Sequence, residues 1–138
     1  MRRGLSLADF GLLAGALLLG VVSCGKKANA VACTVTYGGE AQRLEFPATS
    51  NPYGVKPVDV SGRFRFKAIY IREPWNAASI NVYAYAPRRA GLGDALLQEG
   101  KYTPPFSPAA GARYGFTGRQ LVYSPEQREL EYWCELSR

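Results

Sequence analysis

Short runs of alternating apolar and polar residues, separated by turn-forming residues, cover the chain from residue 31 onwards. Alternation with a period of two predicts β-strands that bury one face, and clusters of Gly, Pro, Asn and Ser predict the turns between them. One of these runs, 95–102, is also compatible with a short helix. We predict strands over 31–37, 43–46, 57–60, 63–71, 79–85, 95–102, 119–123 and 128–136.

The runs 63–71 and 128–136 are the clearest, because each places apolar side chains on one face and charges on the other. The apolar faces comprise Phe64, Phe66, Ala68 and Tyr70 in the first run, and Leu130, Tyr132, Cys134 and Leu136 in the second. Strands with one apolar face must bury it against another layer. The pattern therefore predicts an all-β protein, a small antiparallel sandwich or barrel, with no linker to divide it into two domains.

The first thirty residues have the pattern of an export signal. A basic start, Met1-Arg2-Arg3, precedes an apolar run of thirteen residues from Phe10 to Val22. A helix that spans a bilayer needs about 20 apolar residues, so this run predicts a cleaved signal. The following Val21-Val22-Ser23-Cys24 resembles the lipobox of bacterial lipoproteins, which implies that Cys24 becomes the lipid-modified first residue of the mature chain.

A second cleavage site stays open, because Ala28-Asn29-Ala30 fits an ordinary signal-peptidase site and would release a soluble periplasmic protein. Lys26 and Lys27 would then place two charges within the processing region, which favours the cut before Cys24. A lipid anchor would hold the protein on a membrane, facing the periplasm or the cell surface. The domains we expect are a signal at 1–23, a short tether at 24–30 and a β domain at 31–138.

Both cuts leave two cysteines in the β domain, Cys33 near its start and Cys134 near its end. Small exported domains commonly use disulfides, and each of these cysteines lies on the apolar face of its predicted strand. We therefore predict a Cys33–Cys134 disulfide, which would close a loop of about 100 residues and contribute ~4–5 kcal/mol in the chain-entropy model. Two distant cysteines in a chain without histidine do not make a recognisable zinc site, so we predict no metal.

Charge and composition limit the classes of function that this protein could have. Removal of 1–23 leaves fifteen basic and ten acidic side chains, a net charge of +5, and the later cut leaves +3. This excess is too small to predict nucleic-acid binding. The absence of histidine excludes Ser-His-Asp and Cys-His sites, and no phosphate-binding glycine loop or other cofactor motif is present. A pair of acidic residues, as in glycosidases, stays possible, but a non-catalytic protein is favoured.

Two sets of outward residues are candidate binding residues. Arg63, Arg65 and Lys67 form a basic ladder that could hold an anionic head group, a glycan or an acidic protein. The simpler alternative is a solvated face, paired with a glutamate ladder on a neighbouring strand. Tyr83 and Tyr85 share the outer face of their strand and suit either recognition or ordinary strand packing. The glutamate ladder comprises Glu129, Glu131 and Glu135.

The segment 104–118 is long for a loop in a compact domain and carries four further candidates. We expect Phe106 and Phe116 to cover one end of the sandwich, and we leave Arg113 and Tyr114 open as binding residues. Ala110-Gly111-Ala112-Arg113-Tyr114 resembles a loop of the membrane-bound inhibitors of C-type lysozyme, which are small β-barrel lipoproteins. The lysine-glycine element that follows in that family is replaced here by Tyr123-Ser124-Pro125-Glu126.

The sequence therefore predicts an exported envelope lipoprotein that acts as a non-catalytic binding or accessory module for a protein or glycan partner. The resemblance above implies a different class, an inhibitor of a secreted hydrolase such as lysozyme, in which Arg113 and Tyr114 enter the target's cleft. A carboxylate-based hydrolase is the third hypothesis. The pattern leaves the oligomeric state, the partner and the choice of inner or outer membrane open.

Overall fold

The computed structural model describes residues 30–107 and 113–137, in which eight β-strands are joined by turns and two short 3-10 segments. The predicted signal at 1–23, Cys24 and the predicted tether up to residue 29 lie outside the described residues. The strands are β1 (Ala30–Tyr37), β2 (Glu40–Pro47), β3 (Val58–Val60), β4 (Phe64–Ile71), β5 (Ser79–Pro87), β6 (Asp94–Tyr102), β7 (Gln120–Tyr123) and β8 (Glu129–Ser137).

The strands form two four-stranded antiparallel sheets that pack face to face, so the protein is a sandwich and not a closed barrel. The first sheet has the order β2-β1-β8-β7, and the second is a meander with the order β3-β4-β5-β6. The run that could have been a helix, 95–102, belongs to β6 and pairs with β5. The prediction of an all-β fold is confirmed.

The turns follow from the residues that the sequence places between strands. Gly38 and Gly39 join β1 to β2 with φ angles of 60° and 83°, which glycine adopts without steric cost. Two consecutive residues with positive φ give a tight hairpin whose twist matches that of the strands. The register of β1 on β2 is fixed by this turn and continues without interruption from Tyr37 to Ala30.

The core fills the space between the sheets with the inward residues of both layers. The ring of Phe66 on β4 lies 5.0 Å from that of Tyr132 on β8 and 6.2 Å from that of Phe46 on β2. Phe66 therefore contacts two strands of the opposite sheet. Tilted ring pairs of this kind contribute beyond the area that they bury.

A chain of side-chain hydrogen bonds also links the sheets, at the side where β6 faces β7. The Tyr132 hydroxyl donates to Oε1 of Gln98 at 3.0 Å, and Nε2 of Gln98 donates to Oε1 of Gln120 at 3.4 Å. Nε2 of Gln120 in turn donates to the carbonyl of Thr117 at 2.9 Å. The network satisfies the polar groups that this side of the core encloses.

The disulfide joins Cys33 and Cys134, which are directly opposite one another on β1 and β8 and have no exposed surface. It connects the first and last strands inside one sheet rather than crossing between the two sheets. Its prediction is confirmed.

Aromatic residues of the segment after β6 close one end of the sandwich, as expected. Phe106 is only 5% exposed, and its ring lies 5.8 Å from that of Phe116 and 6.1 Å from that of Tyr70. Phe116 also contacts the ring of Tyr102 at 5.2 Å. Residues 108–112 of this segment, which include the first three of the five compared with the lysozyme inhibitors, lie outside the described residues.

Candidate functional site

The two outward sets that the sequence presents separately lie side by side on the outer face of the second sheet. β4 and β5 are neighbours, and their register places Arg65 opposite Tyr85 and Lys67 opposite Tyr83. Directly opposite residues of an antiparallel pair are close enough for their side chains to interact. We call these four residues the basic–tyrosine face.

Lys67 is the centre of this face. Its Nζ lies 5.3 Å from the ring centre of Tyr83 and 5.9 Å from that of Tyr85. The two tyrosine rings are nearly parallel, with an interplanar angle of 16° and centres 6.1 Å apart. An ammonium within about 6 Å of a ring centre is attracted by the electrons of the ring. The tyrosines therefore attract the ammonium without neutralising it.

The charges around the face are mixed. Arg65 forms an ion pair with Asp94 of β6, with Nε 3.4 Å from Oδ1. Among the described residues, no carboxylate lies within ion-pair distance of Lys67. Burial raises the pKa of Tyr83 and of Tyr85, and Glu99 adds to both shifts. At neutral pH both phenols are therefore protonated. The Tyr83 hydroxyl is already hydrogen-bonded with Glu99 and Asn81, so the Tyr85 hydroxyl is the one that can donate to a bound oxygen atom.

The glutamate ladder is not the partner of the basic ladder, so that pairing hypothesis is wrong. β8 lies between β1 and β7 in the other sheet, and its glutamates point to the opposite side of the molecule. Glu131 binds Arg119 at 2.6 Å, Glu135 binds Arg43 at 3.0 Å, and Glu129 accepts a hydrogen bond from Tyr123 at 2.8 Å.

Arg63 precedes β4 and is set apart from the other two cations. Its backbone N–H donates to the carbonyl of Val60 in the turn between β3 and β4. Its charge acts on Glu126 in the turn before β8. The pKa of Glu126 is lowered first by its own backbone hydrogen bond and by Ser124, and then by Arg128 and Arg63. The ladder is thus divided between the basic–tyrosine face and the turn beside it.

Arg113 and Tyr114 lie against the outer face of the first sheet. The Tyr114 ring packs edge-on against Trp133 of β8 with centres 6.2 Å apart, and the Arg113 guanidinium lies 5.6 Å from the centre of the Tyr114 ring. We call these three residues the arginine–tryptophan stack. The sequence reasoning missed Trp133, although it alternates in phase with the outward glutamates of β8, and that phase was the available signal.

The chain after Tyr114 is hydrogen-bonded to β8. The N–H of Phe116 donates to the carbonyl of Cys134 at 3.0 Å, and the Thr117 hydroxyl accepts from the N–H of Cys134 at 2.8 Å. Gly115 has a φ of 58°, and a Cβ there would collide with the Cys134 carbonyl. A glycine is therefore required to bring the chain this close to the strand.

Acidic side chains meet in one shallow cleft of about 210 Å³, between the edges of the two sheets. Glu40 of β2 and Asp59 of β3 both line it. Oδ2 of Asp59 accepts the N–H of Gly62 at 2.9 Å, which assigns it a structural role in the turn after β3. No group of three or more metal-ligating side chains occurs within residues 30–107 and 113–137.

Comparisons with known proteins do not identify a family. No protein-family model, curated protein or solved structure matches this chain. Within the part of the chain that the structure describes, no helix has the length and apolar character needed to cross a bilayer.

Proposed function

We propose that this protein is a non-catalytic binding module of the bacterial envelope, exported and anchored through a lipid on Cys24. The observation that supports it most is the basic–tyrosine face, where a lysine ammonium lies beside two stacked tyrosine rings and has no carboxylate partner among the described residues. Aromatic and basic residues that are already held in place lose little entropy on binding. Such a face suits a partner with exposed carboxylate or phosphate groups.

The partner is a protein or a glycan of the envelope, and both would present the same anionic chemistry to Lys67. Tyr83 and Tyr85 would contribute contact area, the Tyr85 hydroxyl would donate a hydrogen bond, and Arg65 would add a second cation at the edge of the contact. Because charged contacts are screened by salt, the affinity should fall as ionic strength rises.

One experiment with two arms tests this function. In the first arm, the full chain is co-sedimented with purified peptidoglycan sacculi, and in the second a photocrosslinking residue replaces Tyr85 in living cells. We expect salt-sensitive sedimentation, or one discrete protein adduct, that the Lys67→Ala variant loses. The matched controls are Arg119→Ala, directly before β7, and a crosslinker at Leu121 in β7 of the first sheet. Equal results with the controls, or no capture in either arm, would contradict the proposal.

The anchor is tested separately by membrane fractionation of the wild type and of the Cys24→Ala variant. We expect the wild type in the membrane fraction and the variant in the soluble periplasmic fraction. A wild type that is fully soluble would favour the alternative cleavage after Ala30.

Inhibition of a secreted hydrolase is the second candidate, and the arginine–tryptophan stack favours it. Arg113 is exposed, and its guanidinium lies over the ring of Tyr114. That ring in turn packs on Trp133, so the arginine is supported by the outer face of the first sheet. A supported, exposed arginine could enter the cleft of a target enzyme. Assays of C-type lysozyme with the wild type and with Arg113→Ala would separate the candidates. The inhibitor proposal expects inhibition that the variant loses, and the binding-module proposal expects none.

A carboxylate-based hydrolase is the third candidate, and its acidic pair would be Glu40 and Asp59, which line the same shallow cleft. The hydrogen bond from Gly62 to Asp59 supports a structural role for one of the two. Glycosidase activity that is lost in Glu40→Gln would be needed to favour this candidate.

A further inference from the structure

Several elements end at the side of the sandwich where β1 begins, which we call the tether end. Ala30, the first residue of β1, lies opposite Ser137 at the end of β8 and Pro47 at the end of β2. The residue after β2, Ala48, forms a bridge with Tyr70 near the end of β4. The link between β4 and β5, residues 72–78, therefore also lies at the tether end.

This link presents Trp75, one of the most exposed large apolar side chains of the described residues, at 57%. Its ring packs edge-on against Phe106 with centres 6.1 Å apart, and Phe106 itself is buried. The tip, Pro74–Ala77, contains no charged residue. Trp75 therefore contacts the core through Phe106 while more than half of its surface stays exposed. Tryptophan is enriched where proteins meet the head-group region of a membrane.

The length of chain before β1 limits how far the tether end can move from a lipid on Cys24. Residues 24–29 span at most about 20 Å, since an extended residue covers ~3.3–3.6 Å. Two of them, Lys26 and Lys27, would attract anionic head groups. Lys101, near the end of β6, adds an exposed cation at the same end.

We propose that the tether end contacts the bilayer and that Trp75 inserts into the head-group region. The sandwich therefore has a single orientation relative to the membrane. This inference rests on the proposed lipid anchor. In that orientation Arg65 and Tyr85 lie toward the far end of their strands, because β4 ends and β5 begins at the tether end. The basic–tyrosine face would therefore stay accessible to an envelope partner.

The chain has two tryptophans, which makes the orientation measurable by fluorescence. The full-length lipidated protein with Trp133→Phe keeps Trp75 alone. It is reconstituted into phosphatidylethanolamine–phosphatidylglycerol vesicles, with and without a nitroxide-labelled lipid. We expect the Trp75 emission to shift to shorter wavelength in vesicles and to be quenched by the nitroxide.

The matched control places a single tryptophan at the opposite end by combining Trp75→Phe, Trp133→Phe and Tyr123→Trp. Tyr123 has the same exposed fraction as Trp75, 57%, and lies opposite Glu129, the first residue of β8. Eight residues at ~3.3 Å each separate Glu129 from the tether end, so this probe should show neither the shift nor the quenching.

Vesicle flotation of the same samples tests the lipid anchor separately from the orientation of the sandwich on the membrane. Protein that floats and shows selective quenching at Trp75 supports both. Protein that floats but shows equal quenching at the two probes, or none, contradicts the orientation alone. Protein that does not float contradicts the lipid anchor and the orientation together.

Discussion

The ammonium of Lys67 lies 5.3 Å from the ring centre of Tyr83, directly across two neighbouring strands. Neither residue alone would indicate a binding site, since an outward lysine and an outward tyrosine are both ordinary in a sheet. Together with Tyr85 they form a cation–π cluster whose ammonium has no ion-pair partner among the described residues. The proposed function depends on this arrangement, and its strength can be measured without knowledge of the partner.

The first prediction is a favourable coupling energy between Lys67 and Tyr83. A double-mutant cycle of Lys67→Met and Tyr83→Leu, measured by urea unfolding, should give about 0.5–1 kcal/mol, the usual range for an exposed cation–π pair. The matched control cycle combines Tyr83→Leu with Arg119→Met, directly before β7 of the other sheet, and should give no coupling. Equal coupling in both cycles would show that the Lys67–Tyr83 contact is not specific.

The second prediction concerns the disulfide, which closes a sequence separation of 101 residues. Combining Cys33→Ala with Cys134→Ala should lower the free energy of unfolding by up to ~4–5 kcal/mol, because the unfolded chain regains the entropy of that loop. Cys24→Ala is the matched control and should leave the free energy of unfolding unchanged. Chemical denaturation of the variants checks both results, and a loss well under 1 kcal/mol would contradict the account.

The third prediction separates backbone strain from collision at two glycines. Gly115 and Gly118 both have positive φ, but only at Gly115 would a Cβ meet the Cys134 carbonyl. Gly118→Ala should cost about 1–2 kcal/mol from the backbone alone. Gly115→Ala should cost a further ~1–3 kcal/mol, because the hydrogen bonds of Phe116 and Thr117 to Cys134 are disturbed. Thermal unfolding measures the difference, and equal losses would contradict the close approach.

The fourth prediction is a loss of stability in alkali. Burial raises the pKa of Tyr132 well above its ordinary value of 10.0, and Tyr102 adds to the shift. The unfolded chain therefore releases this proton near pH 10 while the folded protein retains it. The stability that depends on the protonated Tyr132 is therefore fully present below pH 10 and is lost progressively as the pH rises above 10.

Urea unfolding at a series of pH values from 8 to about 11 tests this sign, because a raised folded-state pKa makes stability fall with pH. Tyr132→Phe should reduce the slope above pH 10. At neutral pH the same variant should cost about 1 kcal/mol from the lost hydrogen bond to Gln98. Tyr53→Phe removes a phenol that is 92% exposed and serves as the control. An unchanged slope in Tyr132→Phe would contradict the assignment.

The sequence allowed the strands, the class of fold and the disulfide to be predicted. Alternation decides which side chains of a strand face inward whichever strand lies beside it, so Cys33 and Cys134 could be placed on apolar faces from the pattern alone. The burial of Phe106 and the partial burial of Phe116 followed similarly, since a long loop with aromatic residues must cover apolar surface somewhere. These features depend on local periodicity and on the need to bury apolar area.

The order of the strands came only from the tertiary structure. Alternation gives no information on which strand neighbours which, and for this reason the glutamates of β8 were assigned as possible partners of Arg65 and Lys67 on the wrong sheet. The pairing of β4 with β5 brings Lys67 to Tyr83, and the packing of the segment before β7 on β8 brings Tyr114 to Trp133. Local pattern thus determined which face each side chain occupies, whereas the pairing of strands, set by packing of the whole core, determined what it meets there.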